Sequence, residues 1–442
     1  MNGKKYGSAL LSLLLSVSVL AACSGGSQGG SSGGAAQPEA SGGADDGAGG
    51  SAAEKVIVDF WVLTGGQETA MKAVAEDFAE DHPNIEVKIT THATDPHKEA
   101  LKVAAASGTL PDMWFNWGGS LGSYYPENGF TLDLSEHAKM NDWKTKYVES
   151  ALDLATFDGQ LSGVPWHIYG MGVWYRKDLF EKFGISVPTT FAEFEAAMAK
   201  LKENGVTPIS TGGKGGWHPM RFLEGVLEHY AGPDLHDKLM AMEESWNQEA
   251  VINTYAKWKE WNEKGYFPQG FLTLDPSETK FLLYNGQAGM VLEGPWFDGT
   301  LNADQQDPSL YGFFPLPTDH APVRISSFVE MFQINKDSPK AEQDAALMLA
   351  EYITSKDVIA KHGEVLGAPQ ALKDAPVSEK LPHVPAIVDA LGEGVYLVTD
   401  QALPQEIVQK FFQAQDSIIT GEMSPEEAAK FMQDEVEKFQ AK

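Results

Sequence analysis

The stretch from Val56 to Phe115 constrains the fold most. Val56-Ile57-Val58-Asp59-Phe60-Trp61-Val62-Leu63 is a near-continuous apolar run, the pattern of a strand covered on both faces. After the turn Thr64-Gly65-Gly66-Gln67, Met71, Val74 and Phe78 recur at helical spacing until Asp81-His82-Pro83-Asn84. Ile85, Val87 and Ile89 alternate with Glu86 and Lys88, which predicts a second strand. A helix over Lys98–Ser107 closed by Gly108 and a strand over Asp112–Phe115 complete the series. Strand-helix-strand-helix-strand implies a parallel sheet with helices on its faces.

The rest of the chain repeats this style. Val173 and Trp174 lie in a strand, and Lys177–Phe183 reads as a helix ended by Gly184. Thr190-Phe191-Ala192-Glu193 has the spacing of a capping box, followed by inward Phe191, Phe194, Met198 and Leu201. A strand over Val206–Ile209 follows, then helices through Val251-Tyr255-Trp258, Glu342–Tyr352 and Pro425–Phe439. The chain is expected to be α/β throughout, with more than one sheet.

Ahead of this body lies a different kind of sequence. Lys4 and Lys5 precede sixteen uncharged residues, Gly7 to Ala22, that end in Leu20-Ala21-Ala22-Cys23. Such a run is short for a membrane span, which needs ~20 apolar residues, but has the parts of an export signal. The only cysteine, Cys23, has no disulfide partner. Its place after two alanines resembles a bacterial lipobox. Residues 1–22 are expected to be a lipoprotein signal peptide. Residues 23–53 are then a lipidated cysteine and a flexible Gly/Ser tether with a mean reach of roughly 30 Å.

Hydrophobic residues at 43% are ample for large cores without disulfides. Loss of Lys4 and Lys5 takes the net charge from −29 to about −31. So acidic a body is repelled by phosphate backbones, which argues against nucleic acid as a partner.

Five segments in order resemble the extracellular sugar-binding proteins of bacterial ABC importers, of the maltodextrin-binding type. They are Phe60-Trp61 through Pro83-Asn84-Ile85-Glu86-Val87; Gly108-Thr109-Leu110-Pro111-Asp112 with Asn128–Leu134; Gly159–Pro165 with Val173–Ile185 and Pro188–Phe191; Asn285–Met290 with Gly294-Pro295-Trp296; and Ile334-Asn335-Lys336 leading to Ile353-Thr354-Ser355. One departure is Tyr175-Arg176-Lys177, where the family usually has tyrosine-asparagine-lysine. The resemblance implies a periplasmic-binding-protein-like fold, two α/β lobes joined by crossover strands with a ligand cleft between them. By this analogy the first lobe is 54–166 plus 316–362 and the second 167–315 plus 363–442. It also implies hinge closure on a solute, delivery to the permease subunits of the importer, a monomer, no cofactor and no catalysis.

A neutral sugar offers hydroxyls and flat C–H faces, so its site needs planar aromatics beside many hydrogen-bonding groups. In open α/β sheets ligands lie beyond the carboxyl ends of strands. Gln67 and Glu68 follow the first strand, where they either bond hydroxyls or begin a helix. Asn116 and Trp117 belong to the loop expected after the third strand, Trp117 being a stacking platform or lobe core. Trp166 and His167 fall at the first crossover, beside the cleft floor, and Trp217 and Arg221 follow the Val206–Ile209 strand. Trp296 matches the family's glycine-proline-tryptophan stretch, whose indole commonly stacks on the ligand. Glu330, alone among the apolar residues Ile325 to Ile334, is either a cleft carboxylate or a polar group at a strand end. Trp61, Trp114, Trp174 and Trp258 are read as core, and Trp143 and Trp246 as covers of hydrophobic edges.

No H-E-x-x-H, no Walker motif and no cysteine cluster is present, and no nucleophile elbow is expected. The alternatives left open are a surface glycoside hydrolase and a binding protein for a polyol, a glycerol phosphodiester or a peptide. Arg221 and Lys214 are the only basic residues in the candidate loops, which favours a neutral ligand.

Overall fold

The computed structural model describes residues 55–442; the expected signal, Cys23 and tether lie outside the described residues. The strands are β1 (Val56–Leu63), β2 (Ile85–His92), β3 (Met113–Trp117), β4 (Thr156–Phe157), β5 (Gln160–Leu161) and β6 (Val164–Arg176). They continue with β7 (Thr207–Ile209), β8 (Ala288–Glu293), β9 (Tyr311–Phe314), β10 (Ile325–Ile334) and β11 (Val395–Leu397).

The first three strands pair in parallel as expected, in the order β2-β1-β3. The sheet as a whole is mixed, because β10 runs antiparallel to both β3 and β6. β6 is the structural seam. Its residues from Val164 to Met171 pair with β10, and those from Gly172 to Arg176 pair with β8 and β9. One long strand thus carries the chain from one half-sheet into the other. β7 extends the second half parallel to β8, and β11 adds to the start of β10. Between the pairs Glu330–His167 and Met331–Pro165 the register shifts, and the extra residue is Trp166, a bulge in β6.

Local chemistry accounts for most helices. Gly66–Asp81 buries Ala70, Met71, Val74 and Phe78, and Gly108, at φ 68°, ends the helix Thr94–Ser107 in the left-handed form that glycine adopts freely. Thr190 and Glu193 form the reciprocal capping box of Phe191–Glu203. The departure at Arg176 is absorbed locally, since its Nη1 donates to the carbonyls of Leu283 and Tyr284 at 2.7 and 2.8 Å.

Two expectations need correction. β3 continues to Trp117, so Asn116 and Trp117 are strand residues and the turn begins at Gly118. Trp143 and Trp246 are fully enclosed core residues rather than edge covers. Beyond the sheet, Arg324 pairs bidentately with Glu228 and also with Asp237, fastening the entry to β10 onto the helix Trp217–Met240. No helix of the described residues is long and apolar enough to cross a membrane.

Candidate functional site

The side chains that meet at the carboxyl ends of the strands form an alternating series of indoles and cations. Trp117, at the end of β3, is 9% exposed and packs edge-on against Phe115. Lys98, in the first turns of Thr94–Ser107, places its Nζ 5.0 Å from the centre of the Trp117 ring and 6.0 Å from that of Trp217. Trp217 opens the helix Trp217–Met240, and one turn on the Arg221 guanidinium lies 4.7 Å from the Trp217 ring. The same guanidinium lies 5.2 Å from the ring of Trp296. Trp117 and Lys98 come from the β1–β3 half, and Trp217, Arg221 and Trp296 from the β7–β8 half. The series spans the seam.

Glu293, the last residue of β8, organises one end. Its Oε2 accepts from Arg221 Nη1 at 2.7 Å and from Trp296 Nε1 at 3.0 Å. Its Oε1 lies 3.4 Å from Nε2 of His218, whose Nδ1 accepts from the Gly212 N–H. Burial opposes ionisation of Glu293, but Arg221 and His218 overcome it and hold its carboxyl down to about 2. Gly294 is required here, because a Cβ on it would stand 2.0 Å from the Trp296 ring. At the other end Asp95 Oδ2 is 2.8 Å from the point where a Cβ on Gly215 would stand, and Trp217 Nε1 is 3.3 Å from that same point. Trp217 Nε1 is buried with no hydrogen-bond partner among the described residues.

Trp166, His167 and Glu330 form a second group, on β6 and β10. Trp166 lies against His167 and stacks on Phe332. His167, 1% exposed, donates from Nε2 to the Leu366 carbonyl at 2.9 Å. Its Nδ1 accepts from Tyr169 Oη at 2.8 Å and lies 2.9 Å from Glu330 Oε2. Burial pushes His167 down to about 3 and Glu330 up to about 8, so the pair is neutral near pH 6. Tyr169 and Trp296, with ring centres 5.3 Å apart, connect this buried group to the series above it.

The remaining candidates are engaged locally. Gln67 Oε1 accepts from the Leu63 N–H, and Glu68 pairs with Lys72 one turn on. Asn116 donates to Gln333 and accepts from the N–H of Trp117. Three residues were not anticipated. Lys98 and Glu293 stand close to strand ends, where the strand-end rule could have found them. Asp400 lies far along the chain with no local signal; burial raises its carboxyl, and Lys98 and Arg221 pull against that rise.

One G-x-S-x-G spacing does occur at a strand-to-helix turn, Gly118-Gly119-Ser120-Leu121-Gly122. Ser120 Oγ donates to the Asp400 carbonyl and accepts from Gln405 Nε2, and no imidazole hydrogen-bonds to it among the described residues. No group of three metal-ligating side chains occurs among the described residues. Surface depressions of about 570 and 460 Å³ elsewhere share no residue with the series.

Comparison with known proteins identifies the family and the fold. The family model described as bacterial extracellular solute-binding protein matches residues 62–360. An uncharacterized ABC transporter extracellular-binding protein of Pyrococcus horikoshii is 26% identical over 327 residues, 72% of this chain and 71% of its own. A probable sugar-binding periplasmic protein of Mesorhizobium japonicum is 25% identical over 332 residues, 72% of this chain and 75% of its own. Among solved structures, a chitin oligosaccharide binding protein superposes with a TM-score of 0.79 at 23% identity, covering 88% of this chain and all of that one. The fold is therefore the two-lobed, periplasmic-binding-protein-like α/β architecture.

Proposed function

This chain belongs to the bacterial extracellular solute-binding proteins, and from that premise we propose that it captures a neutral carbohydrate and delivers it to the permease subunits of an ABC importer. The observation that carries this reading is the series Trp117–Lys98–Trp217–Arg221–Trp296 across the seam. Indoles supply flat apolar faces of ~150–250 Å² each for sugar rings, and the groups between them supply hydrogen bonds. Positive charge is matched locally, Arg221 by Glu293 at 2.7 Å and Lys98 by Asp95 at 4.0 Å. An anionic solute would gain little from so balanced a site. Relatives named as sugar-binding support the same solute class.

In this reading the two lobes are 54–166 plus 316–362 and 167–315 plus 363–442, with Arg324 moving with the second through Glu228 and Asp237. They close as a monomer about β6 and β10, and Trp166, His167 and Glu330 form the floor. The protein is no enzyme and needs no cofactor or metal. Cys23 carries a lipid that holds it outside the cell at the membrane.

The test is intrinsic fluorescence of the purified protein titrated with maltotriose, xylotriose, chitotriose and raffinose, with chromatography of the sugar afterwards. A saturable change with intact sugar is expected. Cleaved sugar would establish a hydrolase instead, and no response to any of them would end the neutral-oligosaccharide reading. For the anchor, Cys23→Ala is expected to move the protein from the membrane fraction to the medium, and retention at the membrane would reject lipidation.

A further inference from the structure

The two halves also touch each other directly, at the turn that follows β3. Ser120 opens the helix Ser120–Glu127 of the β1–β3 half. Gln405 opens the helix Gln405–Thr420, which packs against Glu249–Glu263 and Pro425–Gln440 in the other half. The same helix is fixed beside Trp217, since Gln415 Nε2 donates to the Gly216 carbonyl at 3.1 Å. Ser120 Oγ accepts from Gln405 Nε2 at 2.9 Å and donates to the Asp400 carbonyl at 3.1 Å. Gln405 Nε2 donates to that carbonyl as well, at 2.6 Å, which closes a triangle of three hydrogen bonds. The N–H of Thr399 donates to Glu224 at 2.8 Å and ties the Asp400 segment to the helix Trp217–Met240. The backbones meet too. Gly119 has φ 60° and ψ −150°, a conformation left to glycine, and a Cβ on it would stand 2.5 Å from the Gln401 carbonyl oxygen.

We infer that this triangle is a catch between the halves, made when they come together and broken when they swing apart. It rests on the hinge-closing reading above and on no particular solute. β6 and β10 are continuous strands that can bend, whereas Ser120 and Gln405 sit on separate helices, one in each half. A rotation about the seam therefore changes the Ser120–Gln405 distance, and a hydrogen bond does not survive much beyond ~3.5 Å. All the partners are neutral, so water replaces them at modest cost when the halves part. Each bond is then worth roughly two- to tenfold in the equilibrium. A catch of that size favours closure without locking it. The empty protein closes for a measurable part of the time, and solute affinity scales with that closed fraction.

The test is small-angle X-ray scattering of the full-length mature protein without solute, carrying Cys23→Ser to keep it free of lipid. Ser120→Ala and Gln405→Met, singly and together, are compared with that parent. Each single variant is expected to shift the open-to-closed ratio roughly fivefold, read as a rise in radius of gyration. The double variant should expand no further than the larger single one, because both lose bonds of one triangle. Whichever of maltotriose, xylotriose, chitotriose and raffinose binds should, at saturation, return every variant to the radius of the parent.

Ligand-free radii equal to the parent's in both single variants overturn the catch while the carbohydrate reading stands. A variant that stays expanded at saturating sugar, or a double variant that expands beyond both singles, also overturns it, since either pattern reports damage within a half. If none of the four sugars binds, the neutral-oligosaccharide reading falls, and the ligand-free scattering still decides the catch.

Discussion

Two groups of aromatic and charged residues lie within reach of one another, and they differ in what their polar atoms do. In the group of Trp166, His167, Tyr169 and Glu330, three of the four side chains bond one another, and His167 is 1% and Glu330 7% exposed. In the series from Trp117 to Trp296 the rings are partly open. Trp217 Nε1 meets no hydrogen-bond partner among the described residues, and Lys98 Nζ reaches a carboxylate only at 4.0 Å, that of Asp95. Residue type does not separate the groups, since each holds indoles, a base and an acid. Satisfaction does. A buried polar group with its bonds made contributes order to a core, whereas one left unpartnered at a seam is costly unless something binds there.

The sharpest way to break this comparison is Trp296→Ala. It removes a ring that packs on Gly294 and flanks Arg221, and its expected cost is at least ~2 kcal/mol of sugar affinity, the scale of a binding hot spot. Calorimetry showing unchanged affinity would take Trp296 out of the site.

Glu330→Gln tests the other side and should act on stability instead. The folded pKa of Glu330 is about 8, above its ordinary value, so the wild type's stability from this group is complete below the unfolded pKa and falls as pH rises toward 8. The neutral amide escapes that loss, at most ~1.4 kcal/mol per pH unit. The melting temperature of Glu330→Gln relative to wild type should therefore climb between pH 5 and 8, with sugar affinity within about threefold of wild type. A large affinity loss with no pH-dependent gain would move Glu330 from the floor into the binding surface. Glu68→Gln is expected to do least. Glu68 pairs only with Lys72 on an exposed helix face, and affinity should stay within about twofold; a larger change would extend the site to the turn after β1.

The fold was legible because its signals are local. β1 occupies the residues its apolar run predicted, and the Thr190–Glu193 capping box formed as spaced. The site was legible in part. Trp217, Arg221 and Trp296 lie together and Trp117 joins them through Lys98, as a rule about strand ends would suggest. The same rule also nominated Gln67 and Asn116, whose side chains serve a turn and a strand pair. A carboxamide that bonds its own backbone and one that faces a ligand look alike in sequence.

Sequence alone determined the strand and helix succession, the expectation of export and the class of chemistry. Periodicity, capping and charge act between residues near in the chain. Tertiary structure decided which charges are spent and which are free. Arg221 is answered by Glu293, 72 residues away, and Asp400 reaches the seam from the far end of the chain. Those pairings depend on how β6 and β10 fold two half-sheets against each other, and no local pattern encodes a distance across that seam.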